Sequence, residues 1–256
     1  MAKKESKNKA WNKIFEDHNI SNHDFDKEPF FIKATEIKAS CKGFVEEGIT
    51  EPRILCKHDS RESRPEIFKK MGLFMLAVKN GEYAILKGEG YVDIPEIDTE
   101  PEEHESIINF ALETALIGNS EMQHVDFAYA SSIIRTFTKD PSLVLTIRGR
   151  KYTPEFSFKV GNYEITTKSV QTEVDAGYEG ENSVVLVEAK NSKTNNEIIR
   201  QLYYPYRKWQ EHTKKEVTTI FFEKRGNLYY VWQFGFEDKY DYNSIKLLKS
   251  ARFKIL

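Results

Sequence analysis

Between residues 173 and 190 the chain reads Glu-Val-Asp-Ala-Gly-Tyr-Glu-Gly-Glu-Asn-Ser-Val-Val-Leu-Val-Glu-Ala-Lys. An acid-bearing strand runs into a turn, then into an apolar strand that ends in Glu-x-Lys. Side chains alternate across a strand, so spacing decides which of them meet. Val174, Ala176 and Tyr178 share an apolar face; Glu173, Asp175 and Gly177 share the other. Glu188 and Lys190 are two apart and share a face, opposite Val185, Val187 and Ala189. Paired as neighbours, the two strands place Asp175 near Glu188. Two carboxylates suit a hard divalent cation, and an ammonium stands beside them. Gly177 would leave room for a phosphate backbone to approach. The alternative is an exposed strand end whose acid and lysine form a surface salt bridge, worth little.

The tripeptide alone carries no weight. Glu5-Ser-Lys7, Glu36-Ile-Lys38 and Glu237-Asp-Lys239 repeat it. Only Glu188-Ala189-Lys190 ends an apolar β run and follows an acid-bearing strand after a short connection.

The rest of the chain divides in two by pattern. Residues 1–10 read as a disordered basic tail and 11–95 as a smaller α+β region. In that region Asn80-Gly81 between two apolar runs signals a hairpin. Residues 96–106 read as an acidic linker and 107–256 as the main unit. Apolar residues at helical spacing over 107–137 predict two helices broken at Gly118-Asn119-Ser120, with Ser120 or Asn119 as cap. Strands are predicted around 143–147, 156–160 and 163–166, at the two segments above, and at 218–222 and 228–234. A helix capped by Asn195 or Asn196 runs to about His212. This is an α/β (α+β) pattern.

Composition excludes some classes. The longest apolar runs fall well short of the roughly 18 residues that span a bilayer. The opening Met-Ala-Lys-Lys-Glu-Ser-Lys lacks the apolar core of a secretory signal. Cys41 and Cys56 form no CxxC, so a cytoplasmic protein with reduced thiols is expected. The net charge of −2 does not announce a nucleic-acid binder, but Lys and Arg are enriched over 133–168 and 190–215. Gly88-Glu-Gly90 lacks the third glycine of a dinucleotide loop, and there is no Walker loop. His212-Thr-Lys214 lacks the Asp of an HxK nuclease motif.

Taken together, the chain resembles the PD-(D/E)XK nuclease superfamily, and within it the type II restriction endonucleases. The resemblance spans roughly Trp11 to Ile245. It rests on Glu51-Pro52-Arg53, Ser120-Glu121-Met122-Gln123, Leu145-Thr146-Ile147-Arg148-Gly149-Arg150, Asp175-Ala176-Gly177-Tyr178-Glu179, Glu188-Ala189-Lys190-Asn191 and Arg200-Gln201-Leu202-Tyr203-Tyr204-Pro205-Tyr206-Arg207. Val174 stands where the motif name has Pro. The resemblance implies a restriction-endonuclease-like mixed central sheet flanked by helices. It implies Asp175, Glu188 and the Ala189 carbonyl as Mg²⁺ ligands, and Lys190 as the group that holds the attacking water. Glu121 is the candidate for an additional helix acid; the alternative is an acid favoured by the helix dipole.

Candidate DNA contacts are Arg53, Lys57, Arg148, Arg150, Arg200, Gln201 and Arg207. For Arg200, Arg207 and Lys208 a solvated face is the alternative. Arg53, Lys57, Arg61, Arg64, Lys69 and Lys70 would help to read the target sequence; the alternative is a structural α+β unit that only buttresses the core. The function implied is Mg²⁺-dependent cleavage of double-stranded DNA at a specific sequence by a homodimer. The products would be a 5′-phosphate and a 3′-hydroxyl. The rivals are a repair or structure-specific nuclease on the same core and a catalytically silent DNA-binding protein.

Overall fold

A computed structural model describes residues 2–44, 51–110, 112–114, 117–118 and 120–256. Helix α1 (Ala2–Asp17) is anchored by Ala10, Trp11, Ile14 and Phe15, all buried. The basic tail expected over 1–10 is thus helical from residue 2. The apolar residues that follow it fix the helix against its neighbours, and Lys7 Nζ donates to the Lys57 carbonyl at 2.8 Å. Strand β1 (Phe30–Lys33) and helices α2 (Ala34–Ser40), α3 (Pro52–Leu55) and α4 (Glu66–Lys70) follow. The hairpin β2 (Leu73–Lys79) and β3 (Glu82–Lys87) turns at Asn80-Gly81, as its sequence predicts, with Gly81 at φ 76°. These strands form a small sheet in the order β1-β3-β2.

Next come β4 (Tyr91–Asp93), β5 (Glu102–His104), α5 (Glu121–Ala130), α6 (Ile133–Thr138) and β6 (Val144–Tyr152). The hairpin β7 (Phe156–Val160) and β8 (Tyr163–Thr167) precedes β9 (Gln171–Glu179) and β10 (Ser183–Lys190). After β11 (Asn196–Ile198) and α7 (Arg200–Gln210), the chain ends in β12 (Glu216–Arg225), β13 (Leu228–Phe236) and β14 (Ile245–Ile255). The main sheet has seven strands in the order β5-β14-β13-β12-β10-β9-β6. Its pairs are antiparallel except β10–β12 and β14–β5. The architecture is α+β, a mixed central sheet flanked by helices.

Strand β10 lies between β9 and β12 and is covered on both faces, which explains its unbroken apolar run. Val185, Val187 and Ala189 pack with Val125, Ala128, Ile133 and Ile134 of α5 and α6. Val184 and Leu186 belong to a second cluster with Tyr203 and Tyr204 of α7. That cluster continues through Phe156 and Phe158 to Phe74, Leu76 and Leu86 of the N-terminal sheet, so the two halves share a core.

Three further expectations change, and one strand appears that was not expected. The stretch 96–106, expected as a linker, contributes β5, which extends the main sheet beside β14. The helix expected over 107–118 does not form among the described residues. Ile107 and Phe110 remain exposed there, with no surface to bury them. Ala111 and Asn119 lie outside the described residues, and Ser120 caps α5, its hydroxyl accepting from the Gln123 amide. Asn196 sits in β11 and caps no helix: its Oδ1 accepts from the Arg61 amide at 2.7 Å and its Nδ2 donates to Glu62. Finally, β14 is a strand that the hydrophobic pattern does not reveal, because Leu247 and Leu248 face outward while Ala251 and Phe253 are buried.

Candidate active site

Strands β9 and β10 are paired from Val184↔Glu179 to Val187↔Ala176, and there the ladder stops. One residue further along each strand stand Asp175 and Glu188. Instead of the next ladder bond, the Ala189 amide donates to Asp175 Oδ2 at 2.8 Å. The break has a cause on the far side of β9. There Ile147 faces Gly177 and Gly149 faces Val174, so two steps on β6 oppose three on β9. Such a bulge redirects side chains. It separates Val174, which joins the cluster under α7, from Ala176 and Tyr178, which join the cluster under α5 and α6. Val174 therefore does not share the apolar face expected from strict alternation.

Gly177 also has a different reason from the expected one. A Cβ there would meet the Ile147 Cβ at 2.6 Å, so the glycine lets β6 approach and offers no berth to a phosphate.

The two acids and Lys190 open into a cleft of about 460 Å³. Its walls include Lys57, Glu121, Glu173, Asp175, Glu188, Lys190 and Gln201. Four segments distant in sequence thus converge: α3's C-terminal flank, the start of α5, β9–β10, and α7. Lys190 Nζ donates to Glu188 Oε1 and stands 3.7 Å from Glu197 Oε2. Burial pushes the Glu188 carboxyl up to about 7, with Lys190 opposing the shift and Asp175 adding to it. Burial also raises Asp175, against the Ala189 amide and Lys190. Burial works against the Lys190 ammonium, but Glu188 and Glu197 outweigh it and carry the group above its ordinary value.

These residues fit a small hard cation. Glu121, Glu173, Asp175 and Glu188 face two lysines, so the cleft has an excess of negative charge. Among the described residues no group of three or more His, Cys, Asp or Glu side chains forms a ready-made metal cage. Mg²⁺ needs none, since it keeps several waters and takes one or two carboxylates.

The remaining candidates separate. Gln201, Lys57 and Glu121 line the cleft; Arg53 and Arg200 are not among its lining residues. Arg148 is held by Asp126 through both terminal nitrogens, and Arg150 pairs with Glu173 at 3.2 Å. Arg207 is only 1% exposed, which overturns both a phosphate contact and a solvated face. Its guanidinium lies over the Phe156 ring and donates to the Ser157 carbonyl and the Tyr203 hydroxyl. Lys208 is likewise buried and donates to the Tyr152 carbonyl. Arg61 and Arg64 are structural ties: Arg61 pairs with Glu89 and Asp93, and Arg64 donates to the Leu73 carbonyl. Lys57 is the N-terminal cation that reaches the cleft.

Sequence reasoning missed Glu197. It is 1% exposed, on β11, and burial pushes its carboxyl up to about 8. The only trace in the sequence is an acid set directly before the apolar pair Ile198-Ile199.

Comparison with known proteins gives two family matches. Residues 86–254 match the model described as "Domain of unknown function (DUF6997)", and residues 8–85 match "Domain of unknown function (DUF6996)". The matches meet within β3, before the segment that carries β4. No curated protein and no solved structure matches the chain.

Proposed function

We propose that this chain, which belongs to the DUF6997 family, is a Mg²⁺-dependent type II restriction endonuclease with a restriction-endonuclease-like core. The observation that carries the reading is the convergence of Asp175, Glu188 and Lys190 with Glu121, Gln201 and Lys57 in one cleft. A structural salt bridge at a strand end has no reason to gather groups from four segments, nor to bury two carboxyls beside each other.

Asp175, Glu188 and the Ala189 carbonyl would hold Mg²⁺, whose chemistry when bound is to acidify water and offset charge at phosphorus. Lys190 holds a positive charge at the edge of the cleft, where it orients water and meets the phosphate oxygens. The Ala189 amide fixes one oxygen of Asp175 and leaves the other directed elsewhere. Lys57 supplies a cation for the DNA backbone, and Gln201 a donor and acceptor at the cleft wall.

The substrate in this reading is double-stranded DNA, cut at a specific sequence by a cytoplasmic homodimer. Two-fold symmetry gives one cleft per strand. Incubation of a plasmid of known sequence with the purified chain and Mg²⁺ tests it, with run-off sequencing of the ends. Fixed bands with 5′-phosphate ends support restriction. Smearing or cutting confined to branched DNA supports the repair nuclease instead. Metal-independent binding with no cleavage in Mg²⁺ or Mn²⁺ supports the silent binder.

A further inference from the structure

Glu197 lines a second cavity of about 530 Å³ with Asp59, Glu62, Lys193 and Lys57, and Lys57 also lines the cleft. Its Oε1 is buried and has no hydrogen-bond partner among the described residues. Its Oε2 lies 3.7 Å from Lys190 Nζ, and that ammonium already donates to Glu188. One ammonium thus serves two carboxylates. Acids kept for structure fill their hydrogen bonds when buried. Glu197 has one oxygen empty, and the other points at the lysine of the candidate site.

Resting on the nuclease reading, we infer that Glu197 is the positioning residue for Lys190. Glu188 has two demands on it, the lysine and a cation. When Glu188 gives up the ammonium, a lysine with no second partner would swing toward solvent, to which its side chain is already 22% exposed. Glu197 keeps it in the cleft. The strand β11 makes this possible, since its pairing with β4 fixes Glu197 opposite Val92 and leaves the side chain little freedom.

The test is Glu197→Gln in the full chain, which keeps shape and hydrogen bonding but removes the charge. Plasmid cleavage in Mg²⁺ gives kcat and KM, and the thermal midpoint is measured without metal. The expected result is a kcat lower by about 10–100-fold, in the range for loss of an orienting partner. KM should stay within about twofold. The midpoint should hold or rise, because a poorly satisfied buried acid has gone. A clear drop in midpoint would assign Glu197 to structure and overturn the inference. So would unchanged kcat, or a loss confined to KM, in a background where the wild type cleaves. A folded wild type that cuts no DNA would overturn the nuclease reading itself, and the two failures are therefore distinct.

Discussion

Lys190 faces two carboxylates, Glu188 and Glu197, that are themselves buried, and the consequences reach beyond catalysis. Burial, the largest cause in each case, pushes Glu188 up to about 7 and Glu197 up to about 8, against an ordinary glutamate at 4.5. Between those values the folded chain holds more protons than the unfolded one, so these acids make stability fall as pH rises. Other groups set the usable window. Burial lowers His58 and His124 below the ordinary 6.5, so both favour the folded state more as pH rises to that point. Lys7, lowered to about 8 by burial, acts in the same sense above that value. The expected outcome is a midpoint that declines between about pH 6.5 and 8, and a shallower decline in Glu197→Gln, measured by thermal denaturation. An equal slope in both proteins would contradict the assignment of the buried acid. The pair Asp175 and Glu188 was legible in the sequence because strand period and the Glu-x-Lys ending both point to it. Glu197 was not, since its role comes from β4 pairing with β11 across about a hundred residues of chain. Arg207 misled for a related reason: a guanidinium looks solvated in sequence, but its stem and plane fit between aromatic rings.

At the scale of elements, the bulge in β9 sets the site. Strict alternation predicts which residues face inward, and it succeeds along β7, β8 and β10. It fails at Val174 because three residues of β9 are spent against two steps of β6. Nothing local in the sequence marks that slip except Gly149, which adopts φ 80°, and Gly177. Gly177→Ala tests the point. The added Cβ would lie 2.6 Å from the Ile147 Cβ, which sits on a paired backbone and cannot swing away. The expected cost is about 1–3 kcal/mol, read by denaturant unfolding. Ile147→Ala in the same background should recover little, since alanine keeps the Cβ at 2.6 Å and removes only the outer carbons at 3.1 Å. A neutral Gly177→Ala would mean that β6 stands further off. The hairpin at Asn80-Gly81 was readable because turn chemistry is local. The stretch 107–118, where no helix forms among the described residues, shows the converse. Its spacing is helical, but spacing alone does not supply a surface for Ile107 and Phe110 to cover.

Across the whole molecule, the family matches divide the chain at residues 85 and 86, yet the packing does not. Phe74 and Leu76 share a cluster with Phe158, Tyr203 and Tyr204. The Tyr204 hydroxyl donates to the Ala77 carbonyl at 2.8 Å, and the Tyr163 hydroxyl to the Phe25 carbonyl. The two halves should therefore unfold together, as a single calorimetric transition whose van't Hoff and calorimetric enthalpies agree. Two resolved transitions would show that each half keeps a core of its own. This coupling also matters for recognition, because Arg61 joins the halves through Glu89 and Asp93, and Lys57 carries N-terminal charge into the cleft. In the proposed function, Asp175, Glu188 and Lys190 form the working centre of a DNA-cutting enzyme. The most direct test of that proposal compares the wild type with Asp175→Ala on one plasmid in Mg²⁺, with DNA binding and thermal midpoint measured in parallel. The account predicts discrete cleavage by the wild type and a loss of at least about 100-fold in the variant, with binding and folding retained. Equal cleavage by a well-folded Asp175→Ala protein would contradict it.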